Sequence, residues 1–266
     1  MLDKCNFNYS LKPNKGKPLI VFLHGFMGNS QVFDDVIALL GSEFSYLTID
    51  LPGHGKTLIE DSNELYNLPN TARALIELLD SLGITKCFLV GYSMGGRLAL
   101  YLTLYFPKCF DKVILESSSP GLKTEQERNK RLERDLELAQ KLESDIFSDF
   151  LSDWYCNPLF SSLKQNSSFP ELFAKRLKNN PAQLAISLRN LSTGGQPSLW
   201  NKLKHNKVPT RLIVGELDRK FIEINTKMSQ LCESFQLHIV KKCGHNIHWE
   251  NPHQFTRIIG NFFSYH

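Results

Sequence analysis

The chain has 266 residues, 42% of them hydrophobic, and a formal net charge of +4 at pH 7. That length can bury one large core and carry an inserted subdomain. The small charge and the lack of a polybasic tract argue against a nucleic-acid partner, while a mildly basic balance suits acidic small molecules.

Met1 to Phe7 lacks the basic start and apolar core of a signal peptide. The longest apolar runs, such as Leu19 to Leu23, are strand-sized, so no membrane span is expected. The six cysteines include no CxxC pair. They read as free thiols, which fits a cytoplasmic protein.

Residues 5–11 suggest a first strand, ended by Pro13 and Gly16. Leu19 to Leu23 is a near-continuous apolar run, as expected of a strand buried on both faces of a parallel sheet. It leads into His24-Gly25-Phe26-Met27-Gly28. Asn29 or Ser30 can cap a helix through about Leu40, with Phe33, Val36, Ile37 and Leu40 inward. Phe44 to Ile49 is the next strand, closed by Asp50-Leu51-Pro52-Gly53-His54-Gly55. A helix over 68–82 stops at Gly83. A strand over 86–90, a helix over 94–106 and a strand over 112–116 follow.

This β-α alternation predicts a mostly parallel central sheet with helices on both faces. From Ser117 to about Asn206 no strand is convincing, and the segment is helical, polar and broken by prolines. The α/β rhythm returns with a strand over 209–215, a helix over 221–232, a strand over 236–240 and a helix over 252–263. The expected organisation is an α/β core in two parts, 1–118 and 207–266, with a helical cap inserted at 119–206.

Gly91-Tyr92-Ser93-Met94-Gly95 lies between a predicted strand and helix and matches G-x-S-x-G, a nucleophile elbow. Side chains two positions either side of the serine would collide in so tight a turn, so those positions are glycine. Ser93, Asp218 and His245 all lie at the ends of predicted strands, in the chain order Ser–Asp–His. A histidine can take the serine proton while a carboxylate fixes the imidazole tautomer. Glu216 and Glu116 also follow strands and are competing candidates for the acid. Asp50 and His54 read as turn-forming residues, His248 as a surface or supporting residue, and His24 as a residue that orders the neighbouring loop. The backbone N–H groups of Phe26 and Met94 are the candidate oxyanion donors, with Gly25 and Gly28 letting the first loop turn inward.

Arg97 lies four positions after Ser93 and so shares its helical face. A guanidinium there suits a carboxylate substrate, with a surface arginine paired to a cap acid as the bland alternative. Thr124-Glu125-Gln126-Glu127 is a capping box ahead of a long helix whose apolar stripe would be Leu132, Leu136, Ala139 and Leu142, flanked by Arg128, Arg131 and Asp135. Spacing alone leaves Arg131 on a solvated face, Trp154 and Tyr155 in cap packing, Arg176 at the surface and Gly194-Gly195 as a plain turn.

The chain resembles the α/β-hydrolase superfamily across nearly its whole length. Within it, the chain resembles the 2-succinyl-6-hydroxy-2,4-cyclohexadiene-1-carboxylate synthases of menaquinone and phylloquinone biosynthesis. The resemblance rests on Leu23 to Gly28, Asp50 to Gly55, Gly91 to Arg97, Ser119-Pro120-Gly121-Leu122, Asp153-Trp154-Tyr155, Arg176 before Asn179-Asn180, Gly215 to Phe221, and Gly244-His245-Asn246. It implies a lyase that releases pyruvate from an anionic small molecule without a cofactor. It also implies substrate contacts at Tyr92, Arg97, Arg131, Trp154, Arg176 and Lys220. The sequence departs from the family at Met94, where leucine is common, and at Ser117-Ser118-Ser119, which replaces a stretch richer in Gly and His. The alternatives are a carboxylester or C–C bond hydrolase with the same triad, and a binding module that retains the fold.

Overall fold

The computed structural model describes residues 4–60 and 63–264. Its centre is a seven-stranded sheet built on apolar runs too short for helices and too continuous for a surface. Strands β2 (Tyr9–Lys12), β3 (Leu19–Leu23), β4 (Ser45–Ile49), β6 (Cys87–Tyr92), β7 (Phe110–Glu116), β8 (Thr210–Gly215) and β9 (Phe235–Val240) lie in the order β2-β4-β3-β6-β7-β8-β9. All neighbours are parallel except the edge strand β2, which runs antiparallel to β4. The central strands β3, β6 and β7 are almost wholly buried, because helices cover both faces.

One sheet face carries α2 (Leu68–Ser81) and α3 (Ser93–Tyr105), whose Leu75, Leu79, Leu98 and Leu102 pack on Val21, Leu89 and Val113. The other carries α1 (Asp34–Leu40) and α11 (Pro252–Phe263), whose Val36, Ile37, Ile259 and Phe263 close over Phe22, Phe88 and Ile114. Each large apolar side chain buried in this way contributes about 1.5–3 kcal/mol before the entropy of ordering is subtracted.

The expected first strand is two short ones. β1 (Cys5–Asn6) pairs antiparallel with β5 (Leu58–Ile59), outside the main sheet, and β2 starts only at Tyr9. The break falls at Asn8, whose Nδ2 donates to Asp50 at 2.7 Å and whose N–H donates to Thr57 Oγ1 at 3.0 Å. The helix expected after Asn29 begins as a 3-10 turn over Ser30–Phe33, with the Asn29 side chain accepting the Gln31 N–H, and becomes α1 only at Asp34.

Between β7 and β8 the described chain is helical, with α4 (Glu125–Ser144), α5 (Phe147–Tyr155), α6 (Ser161–Gln165), α7 (Phe169–Arg176) and α8 (Pro181–Asn190). The capping box of α4 is formed on both sides, Thr124 to the Glu127 N–H and Glu127 to the Thr124 N–H. The apolar stripe differs from expectation. Ala139 and Leu142 are buried, but Leu136 is 45% exposed and Asp135 occupies the inner face instead. Asp135 is tolerated there because Arg131 Nε donates to both its oxygens, at 2.8 and 2.9 Å, and Ser192 Oγ donates to Oδ2 at 2.7 Å.

These helices share an apolar core of their own, including Leu151, Tyr155, Leu172 and Leu184, and it meets the sheet region through Met27 and Phe26. The remaining α-helices among the described residues are α9 (Arg219–Leu231) and the one-turn α10 (Ile247–Glu250). No helix among the described residues is long and apolar enough to cross a membrane.

Candidate active site

The sheet ends in a sharp corner between β6 and α3. Ser93 sits at that corner with φ +50°, a left-handed conformation that side-chain-bearing residues adopt only under constraint. The constraint comes from close packing on both sides. A Cβ on Gly91 would meet Gly95 O at 2.6 Å and Ala99 Cβ at 2.7 Å. A Cβ on Gly95 would strike the carbonyls of Leu23 and His24, and the Gly95 N–H donates to the His24 carbonyl at 3.0 Å. The second glycine is thus required by β3 rather than by the elbow's own side chains.

Two other strand ends bring Asp218 and His245 to this corner. His245 Nδ1–H donates to Asp218 Oδ2 at 2.7 Å, and His245 Nε2 lies 3.1 Å from Ser93 Oγ, placed to accept its proton. His245 and Asp218 are buried, while Ser93 is partly open. The other Asp218 oxygen caps α9 by accepting the Phe221 N–H at 3.3 Å. The histidine loop is anchored by Glu250, which accepts the N–H groups of Gly244 (2.9 Å) and Asn246 (3.2 Å). Phe221 and Phe160 pack their rings against His245 at 4.7 and 6.1 Å.

The competing acids are engaged elsewhere. Glu216 is exposed and accepts the Lys242 N–H at 3.0 Å. Glu116 is fully buried and paired with His248 Nδ1 at 2.7 Å. His248 is therefore not a surface residue. It is 2% exposed and packs under Tyr92, 4.6 Å between ring centres.

Gly25 to Gly28 form a turn closed by Gly28 N–H to Gly25 O at 2.9 Å, with Met27 at φ +62°. That is the signature of a type II turn, with Phe26 in its second position. The left-handed position is Met27, not either glycine. Gly25 is needed because a Cβ there would meet the Tyr92 ring, and Gly28 because one would meet His24. Met94 is the second residue of α3, so its N–H has no intrahelical acceptor and carries the positive end of the helix dipole.

His24 locks this turn. It donates from Nδ1 to the Gly25 carbonyl at 2.7 Å and accepts the Leu51 N–H at Nε2, 2.9 Å away. Burial lowers its pKa to about 4. His54 is also buried, bonded to the Pro52 carbonyl and shifted well below its usual value, first by burial and then by His24. Asp50 accepts N–H groups from Ser30 at 2.5 Å and Lys56 at 2.9 Å, a structural role for the next turn.

The cations expected at substrate fall into different settings. Arg97 is buried, not a surface arginine paired with a cap acid. Its Nη1 donates to Gln196 Oε1 at 2.6 Å and its Nη2 to the Leu191 carbonyl at 2.8 Å, both neutral acceptors. Burial first, then the Arg131 charge, lowers its pKa to about 9. Lys220 is exposed in outline. Its ammonium is drawn below the usual lysine value by desolvation first and then by Arg131, with Asp218 acting in the opposite direction.

Arg176 is buried rather than at the surface, and its Nη1 donates to the Met27 carbonyl at 2.5 Å. Trp154 is half-buried and packs on Phe26 at 5.4 Å, bridging the inserted helices and the turn. Tyr92 lies behind the site, its ring 5.5 Å from that of His245. Burial, then Glu116, raises its phenol well above the usual value.

A family model for the alpha/beta hydrolase fold matches residues 18–252. A provisionally named 2-succinyl-6-hydroxy-2,4-cyclohexadiene-1-carboxylate synthase of Bacillus subtilis (strain 168) is 38% identical over 248 residues, 92% of this chain and 90% of that one. The 2-succinyl-6-hydroxy-2,4-cyclohexadiene-1-carboxylate synthase of Enterobacter sp. (strain 638) is 35% identical, over 89% of this chain and 88% of that one. Among solved structures, MenH from S. aureus superposes with a TM-score of 0.90 at 34% identity, covering 96% of this chain and 97% of that one. The chain therefore belongs to the alpha/beta hydrolase fold family and, within it, to the 2-succinyl-6-hydroxy-2,4-cyclohexadiene-1-carboxylate synthases.

Proposed function

We propose that the protein is a carbon–oxygen lyase of menaquinone or phylloquinone biosynthesis, acting in the cytoplasm. It eliminates pyruvate from 2-succinyl-5-enolpyruvyl-6-hydroxy-3-cyclohexene-1-carboxylate to give 2-succinyl-6-hydroxy-2,4-cyclohexadiene-1-carboxylate. The observation that carries this reading is the hydrogen-bonded Ser93–His245–Asp218 chain together with a buried guanidinium four residues after the serine, Arg97, whose hydrogen-bond partners among the described residues are neutral. A neutral-ester site has no use for an uncompensated cation, whereas a substrate with carboxylates does. Residues 1–118 and 207–266 act as the catalytic core and 119–206 as a cap that closes the site and contributes Arg131, Trp154 and Arg176.

In this mechanism His245 Nε2 takes the Ser93 hydroxyl proton, and Asp218 stabilises the imidazolium. Ser93 Oγ then removes the ring proton next to the succinyl ketone. The developing charge moves onto the ketone oxygen, held by the N–H groups of Phe26 and Met94. It returns through the ring double bond, the C–O bond to the enolpyruvyl group breaks, and the conjugated diene forms. The departing enolate takes a proton from the imidazolium and leaves as pyruvate, restoring the enzyme's charge. Arg97 and Arg131 orient the carboxylates, Lys220 adds to the field, and Tyr92 and Trp154 form the walls.

The test is pyruvate release by wild type and Ser93→Ala against an enzyme-free blank, because the substrate also eliminates on its own. Fast release by wild type and blank-level release by the variant is the expected result. Blank-level release by both, together with burst kinetics on simple esters, would move the assignment to a serine hydrolase.

A further inference from the structure

The Gly194-Gly195 turn does more than reverse the chain. A Cβ on Gly194 would meet Arg128 O at 2.6 Å and Leu132 Cγ at 2.7 Å, so the turn is pressed directly onto α4. That contact brings both site arginines under the control of one segment, residues 191–196. At its start, the Leu191 carbonyl takes Arg97 Nη2. Next, Ser192 Oγ donates to Asp135 Oδ2, the carboxylate that holds Arg131 by Nε. At its end, Gln196 Oε1 takes Arg97 Nη1.

The choice of residue at 196 is informative. Gln196 is 2% exposed, and its Nε2 has no acceptor among the described residues. A buried donor left without a partner is destabilising. A glutamate of the same size would remove that unmet donor and give the buried guanidinium a counter-ion, the usual solution for a buried charge. The chain instead holds Arg97 with a neutral amide. Asp135 does not fill the gap, since it is committed to Arg131 and Ser192, and the repulsion from Arg131 acts on Arg97 more strongly than the attraction of Asp135.

We propose that Gln196 is a positioning and specificity-determining residue: it holds Arg97 charged, fixed and without an internal counter-ion, so that a ligand with two carboxylates supplies the missing charge. The Nε of Arg131 is spent on Asp135, which leaves its Nη groups for the second carboxylate. The site then selects by ligand charge, through a residue whose own side chain is neutral. The identity of the dicarboxylate rests on the lyase reading above, but the charge selection does not.

The experiment compares full-length wild type, Gln196→Glu and Gln196→Met by calorimetric titration. One probe is 2-succinylbenzoate, a stable aromatic dianion with a ketone and two carboxylates, and the other is its monomethyl ester. Thermal unfolding of each variant confirms that it is folded. Wild type is expected to favour the dianion. Gln196→Glu should weaken dianion binding by at least about tenfold, the low end of what a desolvated charge contact is worth, and erase the preference over the ester. Gln196→Met removes one hydrogen bond without adding charge, so it should weaken both probes and keep the preference. In the elimination assay, Gln196→Glu should raise KM far more than it lowers kcat.

Unchanged dianion affinity in Gln196→Glu overturns the proposal. So does an equal effect of both substitutions on both probes, which would mean that Gln196 serves packing alone. Charge-selective binding by a wild type that releases no pyruvate would overturn the lyase reading and uphold the role of Gln196.

Discussion

Arg176 on α7 donates through Nη1 to the carbonyl oxygen of Met27, 2.5 Å away, at the left-handed corner of the turn that presents the Phe26 N–H. Asn179 Nδ2 donates to the same carbonyl at 3.0 Å. The inserted helices therefore hold this turn, the proposed source of an oxyanion donor, in place through one acceptor. An arginine expected to orient substrate is, in this arrangement, engaged with the protein backbone, and its buried Nε is left without an acceptor among the described residues.

Arg176→Ala should accordingly act on the chemical step. Misplacing one oxyanion donor costs about 10²-fold or more in kcat, and KM should change less. Asn179→Ala should act in the same direction but more weakly, since Arg176 still holds the carbonyl. Steady-state kinetics of pyruvate release read both. A rise in KM with kcat unchanged would instead give Arg176 a direct substrate contact.

Ser93, the proposed base, is also strained. At φ +50° a residue with a Cβ is disfavoured, whereas glycine is not. Ser93→Ala and Ser93→Gly should both fall to the uncatalysed rate. Ser93→Gly should also be the more stable of the two by about 1 kcal/mol, after the entropy glycine adds to the unfolded chain is subtracted. Urea unfolding of the two variants measures the difference. Equal stabilities would mean that the elbow carries no strain worth relieving.

The parts of this site that the sequence disclosed are the local ones. Gly91 is demanded by the tight corner and Gly95 by the close approach of β3, but both fall within five residues of chain, and such spacing survives in one dimension. Asp218 could be preferred over Glu116 and Glu216 only from motif order, and the geometry supplies the reason, since the other two are bonded to His248 and Lys242. Contacts between distant segments left no such trace. Glu116 and His248 are 132 residues apart, Arg97 and Gln196 are 99 apart, and Asp135 and Ser192 are 57 apart. In the sequence Asp135 reads as flanking the apolar stripe of α4 rather than lying in it, because a charged residue in a helix reads as solvated until its partners are known. For the same reason Gly194-Gly195 reads as a plain turn and Arg176 as a surface residue until the fold brings their partners together. The two-strand entry, broken at Asn8, was hidden by a β-like run whose bend is set by Asp50 and Thr57.

The buried Glu116–His248 pair supports the site from below. Glu116 accepts His248 Nδ1–H at 2.7 Å and the His248 N–H at 3.0 Å, with both side chains sealed from solvent. Breaking one side of such a pair leaves the other unpartnered, so Glu116→Ala should destabilise the protein by about 3–5 kcal/mol. Glu116→Gln, which keeps an acceptor, should cost less. Replacing both, as Glu116→Leu with His248→Phe, should recover part of the loss, because an apolar pair of similar volume needs no hydrogen bonds. Denaturant unfolding decides this. A double variant as unstable as Glu116→Ala would mean that the packing shape of the pair, and not its hydrogen bonding, is what the fold requires.

His24 gives the fold a predictable response to acid. Its pKa falls from the ordinary 6.5 to about 4, chiefly through burial. Between those values the unfolded chain binds a proton that the folded chain refuses. Its contribution is therefore fully present above about pH 6.5 and is lost as pH falls towards 4, by about 3 kcal/mol at 1.36 kcal/mol for each pH unit separating the two values. His54, also shifted well below its ordinary value by burial, adds to the loss with the same sign. The same acidification should loosen the oxyanion turn, since a protonated His24 cannot accept the Leu51 N–H at Nε2. His24→Gln, which can still donate and accept but does not titrate, should flatten the decline in unfolding free energy between about pH 6.5 and 4.5. A variant as acid-sensitive as wild type would assign the decline to other groups and leave His24 with a purely geometric role in the turn.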